Sequence, residues 1–264
     1  MPATQVFRAS DGAEIAYSNS GAGEPALVFI HGWQGDRTVW GDVVKALGPG
    51  VRTIAIDQRG NGDSRTARGP FCLERFAADV RELVAQLGLE HAVVIGHSMG
   101  ATVALRLAVD SPDVVRGLVL IGPVPASGGG FSAKGEAFLR STAGDPVAVR
   151  TWLARTFAGT PDETKLDRVC AIAAKADRDA TLESFESWAF ADFAEQTRAI
   201  AVPVIVIAPE HDAPEAAEAR VTALLPNAQH VVLAGAGHYA QLEKPREIAE
   251  LIAGFALRPS TGSG

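Results

Sequence analysis

Short apolar runs, separated by longer segments of helical period, constrain the fold of this 264-residue chain most strongly. The runs do not alternate apolar with polar residues, so both faces of each strand should be covered. A mostly parallel sheet with helices on both sides meets that requirement, and the pattern therefore predicts an α/β fold. The runs cover residues 26–30, 51–56, 92–95, 117–121, 204–208 and 230–233.

Two further features set the expected domain organisation. Residues 6–8 and 15–17 surround Asp11-Gly12, a turn signal, and predict an antiparallel hairpin at the sheet edge. Strand patterning disappears after residue 125, where Gly, Pro and Asp separate several short helical segments. We expect a core domain of residues 1–125 and 200–258, an inserted helical cap of residues 126–199 and a disordered tail of residues 259–264.

Charge and composition restrict the class of partner. A net charge of -7 without any basic run argues against binding to nucleic acid or to an anionic membrane surface, and favours a small-molecule substrate. We find neither an apolar run of bilayer length nor the pattern of a signal peptide, and we expect a cytoplasmic monomer or homodimer. The two cysteines, Cys72 and Cys170, lack the spacing of a metal site, so no metal is predicted.

The segment Gly96-His97-Ser98-Met99-Gly100 carries the first candidate for chemistry. It follows an apolar run and precedes a helical one, which is the context that a nucleophile elbow requires. A serine on such a turn adopts strained backbone angles, and flanking glycines let strand and helix approach closely. The turn also places Ser98 at a helix N-terminus, which favours developing negative charge.

An acid and a base follow in the order Ser, acid, His. Asp212 comes after the apolar run 204–208, and His238 after the run 230–233. Strand ends of a parallel sheet meet at one edge, so the pattern predicts a catalytic triad of Ser98, Asp212 and His238. Glu210 is the nearest alternative acid, because motif boundaries shift by a residue or two.

Together these motifs make the chain resemble the α/β-hydrolase superfamily along almost its whole length. The resemblance also includes His31-Gly32-Trp33 and the segment DQRGNGDS at residues 57–64, which has Asn61 where many members carry His. It implies an eight-stranded, mostly parallel sheet with a helical cap and no cofactor. It further implies an oxyanion hole made by the backbone N–H groups of Trp33 and Met99, with His31 as a structural residue.

The same resemblance bears on two carboxylates. Some members place the acid after the strand before the cap, but residues 121–125 offer no carboxylate there, which favours Asp212. Asp57 precedes the nucleophile in the chain rather than following it, so we interpret it as structural. We expect it to pair with Arg59.

The cap is rich in aromatic residues and poor in charge around residues 185–193. Helical spacing prevents Trp188 and Phe190 from sharing one face, so at least one cap aromatic should point to the cleft. We predict an apolar substrate pocket formed by Trp33, Phe185, Trp188 and Phe190. Lys134 or Arg155 would have to reach the cleft if the substrate were anionic.

The predicted function is hydrolysis of a small neutral carboxylic ester through an acyl-enzyme. The HGW motif and Trp40 also resemble lactonases and cofactor-free perhydrolases, which remain the alternative enzymes. A small-molecule receptor with residual hydrolase activity is the alternative of another class. Dehalogenase or epoxide hydrolase chemistry is disfavoured, because those relatives use Asp at the elbow and the cap has no Tyr.

Overall fold

The computed structural model describes residues 2–212 and 216–257, so the predicted tail of residues 259–264 lies outside the described residues. One sheet of eight strands organises the chain. The strands are β1 (Thr4–Arg8), β2 (Glu14–Ser20), β3 (Ala26–Ile30), β4 (Thr53–Ile56), β5 (Ala92–His97), β6 (Val115–Ile121), β7 (Val204–Pro209) and β8 (Ala228–Leu233). Their order across the sheet is β1-β2-β4-β3-β5-β6-β7-β8. The hairpin β1–β2 and the pair β2–β4 are antiparallel, and all other pairs are parallel. This confirms the predicted α/β class and the mostly parallel sheet.

Helices cover both faces of the sheet, because successive strand residues point to opposite sides and both sides are apolar. Along β6, Leu118 and Leu120 join one buried cluster while Val119 and Ile121 join the other. The core helices are α1 (Gly41–Leu47), α2 (Leu73–Gln86), α3 (Met99–Asp110), α8 (Ala216–Leu224), α9 (Ala240–Glu243) and α10 (Pro245–Ala256). Helices α2 and α3 pack in the first cluster, and α1 and α10 pack in the second.

Residues 126–199, which we call the inserted segment, contain four α-helices and one 3-10 helix (Ala194–Ala199) between β6 and β7. Aspartates begin three of these helices: Asp145, Asp162 and Asp177 each accept hydrogen bonds from two backbone N–H groups of the first turn. Such caps satisfy donors that have no partner within the helix. The four helices are α4 (Ala133–Ser141), α5 (Pro146–Leu153), α6 (Glu163–Ala173) and α7 (Arg178–Ala189).

The strand β8 differs from the expectation that both of its faces are covered. It is one of the two edge strands of the sheet, its residues are half-buried or exposed, and Val232 is 58% exposed. An edge position leaves one side of a strand without a neighbour, so an apolar run alone does not establish burial. None of the described helices combines the length and the apolar character needed to cross a bilayer.

The expected pairing of Asp57 with Arg59 is wrong. The chain turns immediately after β4, and the two side chains diverge: Asp57 accepts from the backbone N–H and the guanidinium of Arg37. Arg59 forms two hydrogen bonds to Asp79, at 2.7 and 2.8 Å, and one to Asp11. Asp57, Arg59 and Asp79 are buried, so these pairs fix the loop after β4 rather than any reactive group.

The order of the strands locates the functional edge of the molecule. β4 lies on one side of β3 and β5 lies on the other. The strand order therefore changes direction at β3, which makes the C-terminal ends of β3 and β5 a topological switch point. Such a reversal opens a crevice at the carboxyl ends of the strands, where α/β proteins bind ligands. The loop after β3 and the turn after β5 meet there.

Candidate active site

Ser98 lies on the sharp turn between β5 and α3, with φ 54° and ψ -123°. Its N–H donates to the carbonyl of Ile121 at 3.0 Å, which ties the turn to the neighbouring strand. A β-carbon at Gly96 would collide with the backbone of Gly100 and Ala101, and one at Gly100 would collide with the carbonyls of Ile30 and His31. Glycine at both positions therefore permits the approach that forces Ser98 into a strained conformation.

The structure brings Asp212 and His238 together, with 2.6 Å between Asp212 Oδ2 and His238 Nδ1. They follow β7 and β8, which are adjacent and parallel and so end at the same edge. Gly122, at φ 49°, lies beside the pair, and a β-carbon there would be 2.7 Å from Asp212 Oδ2. Gly122, the residue after β6, thus leaves room for the carboxylate of Asp212, which follows β7.

Glu210, the alternative acid, lies elsewhere. Its Oε2 accepts a hydrogen bond from the backbone N–H of Gly235 at 2.7 Å, and its side chain is half-exposed. Asp212 has a side chain only 13% exposed and lies against the imidazole. The geometry therefore separates two carboxylates that are two residues apart in sequence.

The loop after β3 supplies the predicted backbone donors. Among the residues that the structure describes, the N–H groups of Trp33 and Met99 donate to no protein acceptor. Met99 is the first residue of α3, where free N–H groups and the helix dipole favour negative charge. Both N–H groups could donate hydrogen bonds to an anionic oxygen bound beside Ser98.

The side chain of His31 anchors this loop through hydrogen bonds of both ring nitrogens. Its Nδ1–H donates to the carbonyl of Gly32 at 2.8 Å, and its Nε2 accepts the N–H of Gln58 at 3.0 Å. Burial lowers the pKa of His31, so the neutral imidazole that can both donate and accept is the stable form. His31 is fully buried, which agrees with the structural role that the resemblance implied.

His97 is a second neutral imidazole next to the site. Its Nε2–H donates to the carbonyl of His238 at 2.8 Å, and the two rings lie 4.6 Å apart. Burial, with a smaller effect of His238, lowers the pKa of His97 to about 3. The side chain therefore supports the backbone of His238 without adding a charge.

Ser98, Asp212 and His238 all line one cavity of about 360 Å³. Its walls are mostly apolar, and aromatic rings from the inserted segment form one side. Arg155 is the one Arg or Lys side chain of the described lining. It is exposed and lies over the ring of Phe138, 5.9 Å from the centre of that ring. The other lining residues include Trp33, Pro123, Val124, Pro125, Phe131, Leu139, Trp152, Thr156 and Trp188.

The predicted pocket residues divide into two groups. Trp33 and Trp188 line the cavity, whereas Phe185 and Phe190 do not. Phe185 is fully buried and packs behind Trp33 and Trp188, with ring centres 5.5 and 5.2 Å away, and Phe190 is 52% exposed on the outer surface. The expectation for Phe185 and Phe190 is therefore wrong. Phe185 of α7 points into the core, and Phe190, the residue after the last turn of α7, points to solvent.

Sequence reasoning missed several lining residues of the inserted segment. Phe131, Phe138 and Trp152 were visible only as members of an aromatic-rich stretch, and Leu139 gave no signal. Helical period identifies an apolar face but not the neighbour that the face meets. Which of these side chains meets the cavity depends on how α4 and α5 pack over the sheet.

The chain belongs to the alpha/beta hydrolase family. The model of that family matches residues 27–251, a range that includes the elbow, Asp212 and His238. The range that matches the family model therefore contains most of the sheet as well as the positions of the candidate site residues.

Individual relatives carry different activities. A soluble epoxide hydrolase of Corynebacterium sp. (strain C12) is 35% identical over 154 residues, which are 58% of this chain and 50% of that protein. The chain thus spans half the length of this curated relative. Two solved structures share the fold: a bromoperoxidase from Bacillus anthracis (TM-score 0.89, 24% identity, 97% of this chain and 100% of that one) and an esterase from Exiguobacterium antarcticum (0.87, 21%, 98% and 100%).

The neutral His97 predicts a particular loss of stability in acid. Below the ordinary pKa of 6.5, His97 binds a proton in the unfolded chain, whereas in the folded chain it does so only near pH 3. The free energy of unfolding therefore decreases as the pH is lowered from about 6.5 to about 3. The slope from one such histidine is at most about 1.4 kcal/mol per pH unit. In urea unfolding between pH 7.5 and 4.5, His97→Gln should flatten the dependence.

The matched control is His230→Gln, a change at an exposed side chain of β8. It should leave the slope of the wild-type protein unchanged, whatever it does to the absolute stability. An equal slope in the wild type and in His97→Gln would contradict the neutral state assigned to His97.

Proposed function

We propose that this protein is a serine hydrolase that cleaves a small neutral carboxylic ester with Ser98, His238 and Asp212. The observation that carries the proposal is the 2.6 Å contact between Asp212 and His238 on the wall of the cavity that also contains the strained Ser98. Nucleophile, base and orienting acid in one cleft are the arrangement that acyl transfer requires.

In the proposed mechanism His238 Nε2 takes the proton of Ser98 while Ser98 Oγ attacks the ester carbonyl. Asp212 holds the opposite ring nitrogen and stabilises the imidazolium that forms. The N–H groups of Trp33 and Met99 bind the oxyanion. The tetrahedral intermediate collapses when the alcohol leaves with the proton from His238, and water then releases the acid from Ser98 by the same steps.

The cavity supports a small, mainly apolar substrate. Aromatic and aliphatic side chains form most of its wall, and the inserted segment would act as a cap that supplies this wall. Arg155 lies at an exposed edge, where solvent screens its charge. The similarity to an esterase fold agrees with this substrate class, whereas Ser98 at the elbow disfavours the epoxide chemistry of the Corynebacterium relative.

Perhydrolysis is the second candidate, favoured by the similarity to a bromoperoxidase. The same acyl-enzyme would react with hydrogen peroxide instead of water and would release a peracid. Lactone opening uses the same residues on a cyclic ester. Parallel assays of ester hydrolysis, lactone opening and peracid formation with one preparation separate these activities.

Ser98 should form the covalent intermediate. A fluorophosphonate should label Ser98 in the wild type, and Ser98→Ala should lose the label and about three or more orders of magnitude in turnover of a nitrophenyl ester. Ser141→Ala, a change at an exposed serine of α4, should keep both. Active protein in which mass spectrometry finds Ser98 unmodified would disprove the assignment. A stable Ser98 adduct with negligible turnover would favour a receptor.

The two neighbouring carboxylates should differ sharply in effect. Asp212→Asn should lower kcat by about 10³ to 10⁴, because the imidazole loses the partner that orients it and stabilises its charge. Glu210→Gln should change kcat less than threefold or so, since Glu210 contacts Gly235 and not His238. If Glu210→Gln were the more damaging change in steady-state kinetics, the acid would have to be reassigned.

The apolar wall predicts how rate depends on acyl length. Each CH₂ that enters the cavity is worth about 0.8 kcal/mol, so kcat/KM should rise about fourfold per carbon from acetyl esters until the cavity is full. Leu139→Ala, on the wall, should shift the optimum to a longer chain, and the matched change Leu257→Ala, on an exposed residue after α10, should not. Preference for esters that carry a second carboxylate, abolished by Arg155→Met, would instead indicate an anionic substrate.

A further inference from the structure

The loop after β3 makes a tight turn in which the N–H of Gly35 donates to the carbonyl of Gly32 at 3.1 Å. Its third residue, Gln34, has φ 54°. A turn with positive φ at this position favours Gly or Asn, and a longer side chain adopts it at a cost in free energy. Something outside the turn must therefore hold Gln34 in place.

Two buried hydrogen bonds join this turn to the inserted segment. Gln34 Nε2 donates to Thr142 Oγ1 at 2.7 Å, just after α4, and Trp33 Nε1 donates to the carbonyl of Thr181 in α7 at 3.0 Å. All four residues are at least nine-tenths buried. The Thr142 hydroxyl donates its own proton to the carbonyl of Leu139, which leaves its oxygen free to accept from Gln34.

The direction of the Trp33 N–H depends on the shape of this turn. The carbonyl of Gly32 belongs to the same planar peptide as that N–H, and the two point in opposite directions. The carbonyl accepts from Gly35 and from His31, so a turn that loses its conformation also turns the N–H away. The conformation of Gln34 is the strained element of that turn.

We propose that Gln34 is a positioning residue for the reaction: its hydrogen bond to Thr142 of the inserted segment holds the turn in the conformation that aims the Trp33 N–H at the oxyanion. The inference rests on the proposed acyl-transfer function. It adds that the inserted segment, besides lining the cavity, completes the oxyanion hole through the Gln34–Thr142 bond.

The test is a set of variants assayed with one nitrophenyl ester. Thr142→Val removes the acceptor at nearly constant volume and should lower kcat about tenfold with KM within about twofold, because the oxyanion contact forms in the transition state. Thr142→Ser keeps the hydroxyl and should restore kcat to within about twofold. Inhibition by phenylboronic acid, which forms a tetrahedral adduct, should weaken by the factor that kcat/KM loses.

Variants at Gln34 separate the hydrogen bond from the backbone strain. Gln34→Ala loses the bond and keeps the strain, so kcat should fall at least tenfold or so, whereas Gln34→Gly accepts positive φ and should lose less. The double variant Gln34→Ala/Thr142→Val should be no slower than Gln34→Ala, because the two residues act through one contact. Circular dichroism checks that each variant folds. If Gln34→Ala does not fold, the comparison of Thr142→Val with Thr142→Ser tests the role of the hydrogen bond.

Values of kcat within about twofold of the wild type for Thr142→Val and Gln34→Ala would overturn the inference, as would a change in KM alone. The outcome is distinguishable from failure of the proposed function. Full activity of Ser98→Ala would refute the acyl-transfer mechanism itself. An essential Ser98 with unaffected Gln34 and Thr142 variants would refute only the role of Gln34.

Discussion

The first turn of α3 is in direct backbone contact with the ends of β3 and β5, and the rest of the candidate site depends on that contact. Neither Gly96 nor Gly100 has room for a β-carbon, so the chain leaves β5 at one sharp angle and Ser98 takes up φ 54°. The same contact places the loop after β3 beside the start of α3. The side chains of His31 and Gln34 then anchor that loop through hydrogen bonds to Gly32 and Thr142.

The electrostatics of the site follow from burial. His31 and His97 both lie under the cavity floor, and burial lowers the pKa of each. A cationic His97 would have its ring 4.6 Å from that of His238 and would oppose the imidazolium of the proposed mechanism. A neutral His97 places no additional charge beside the Asp212–His238 pair.

The meeting of three candidate site residues at one edge of the sheet could be predicted from the sequence, because their positions follow from the strands. Residues just after parallel strands must meet at one edge, so the positions of Ser98, Asp212 and His238 could be read from apolar runs and turn motifs; their roles stay predictions. The carboxylate partner of Arg59 and the wall of the cavity could not be read in this way. Asp79 comes from a helix on one face, and Phe185 and Phe190 sit where packing of α7, not its period, decides the outcome.

The loop after β3 and the turn that carries His238 both contact residues 126–199, and these contacts limit how the molecule can be redesigned. Besides the bonds to Thr142 and Thr181, the carbonyl of Thr156 accepts the backbone N–H of His238 at 2.6 Å. A segment grafted from another member of the family would replace all three contacts together with the cavity wall, so new selectivity would arrive with altered reactive geometry. Libraries that randomise the lining side chains Phe131 and Leu139 on an otherwise intact segment would keep the residues that make these three contacts.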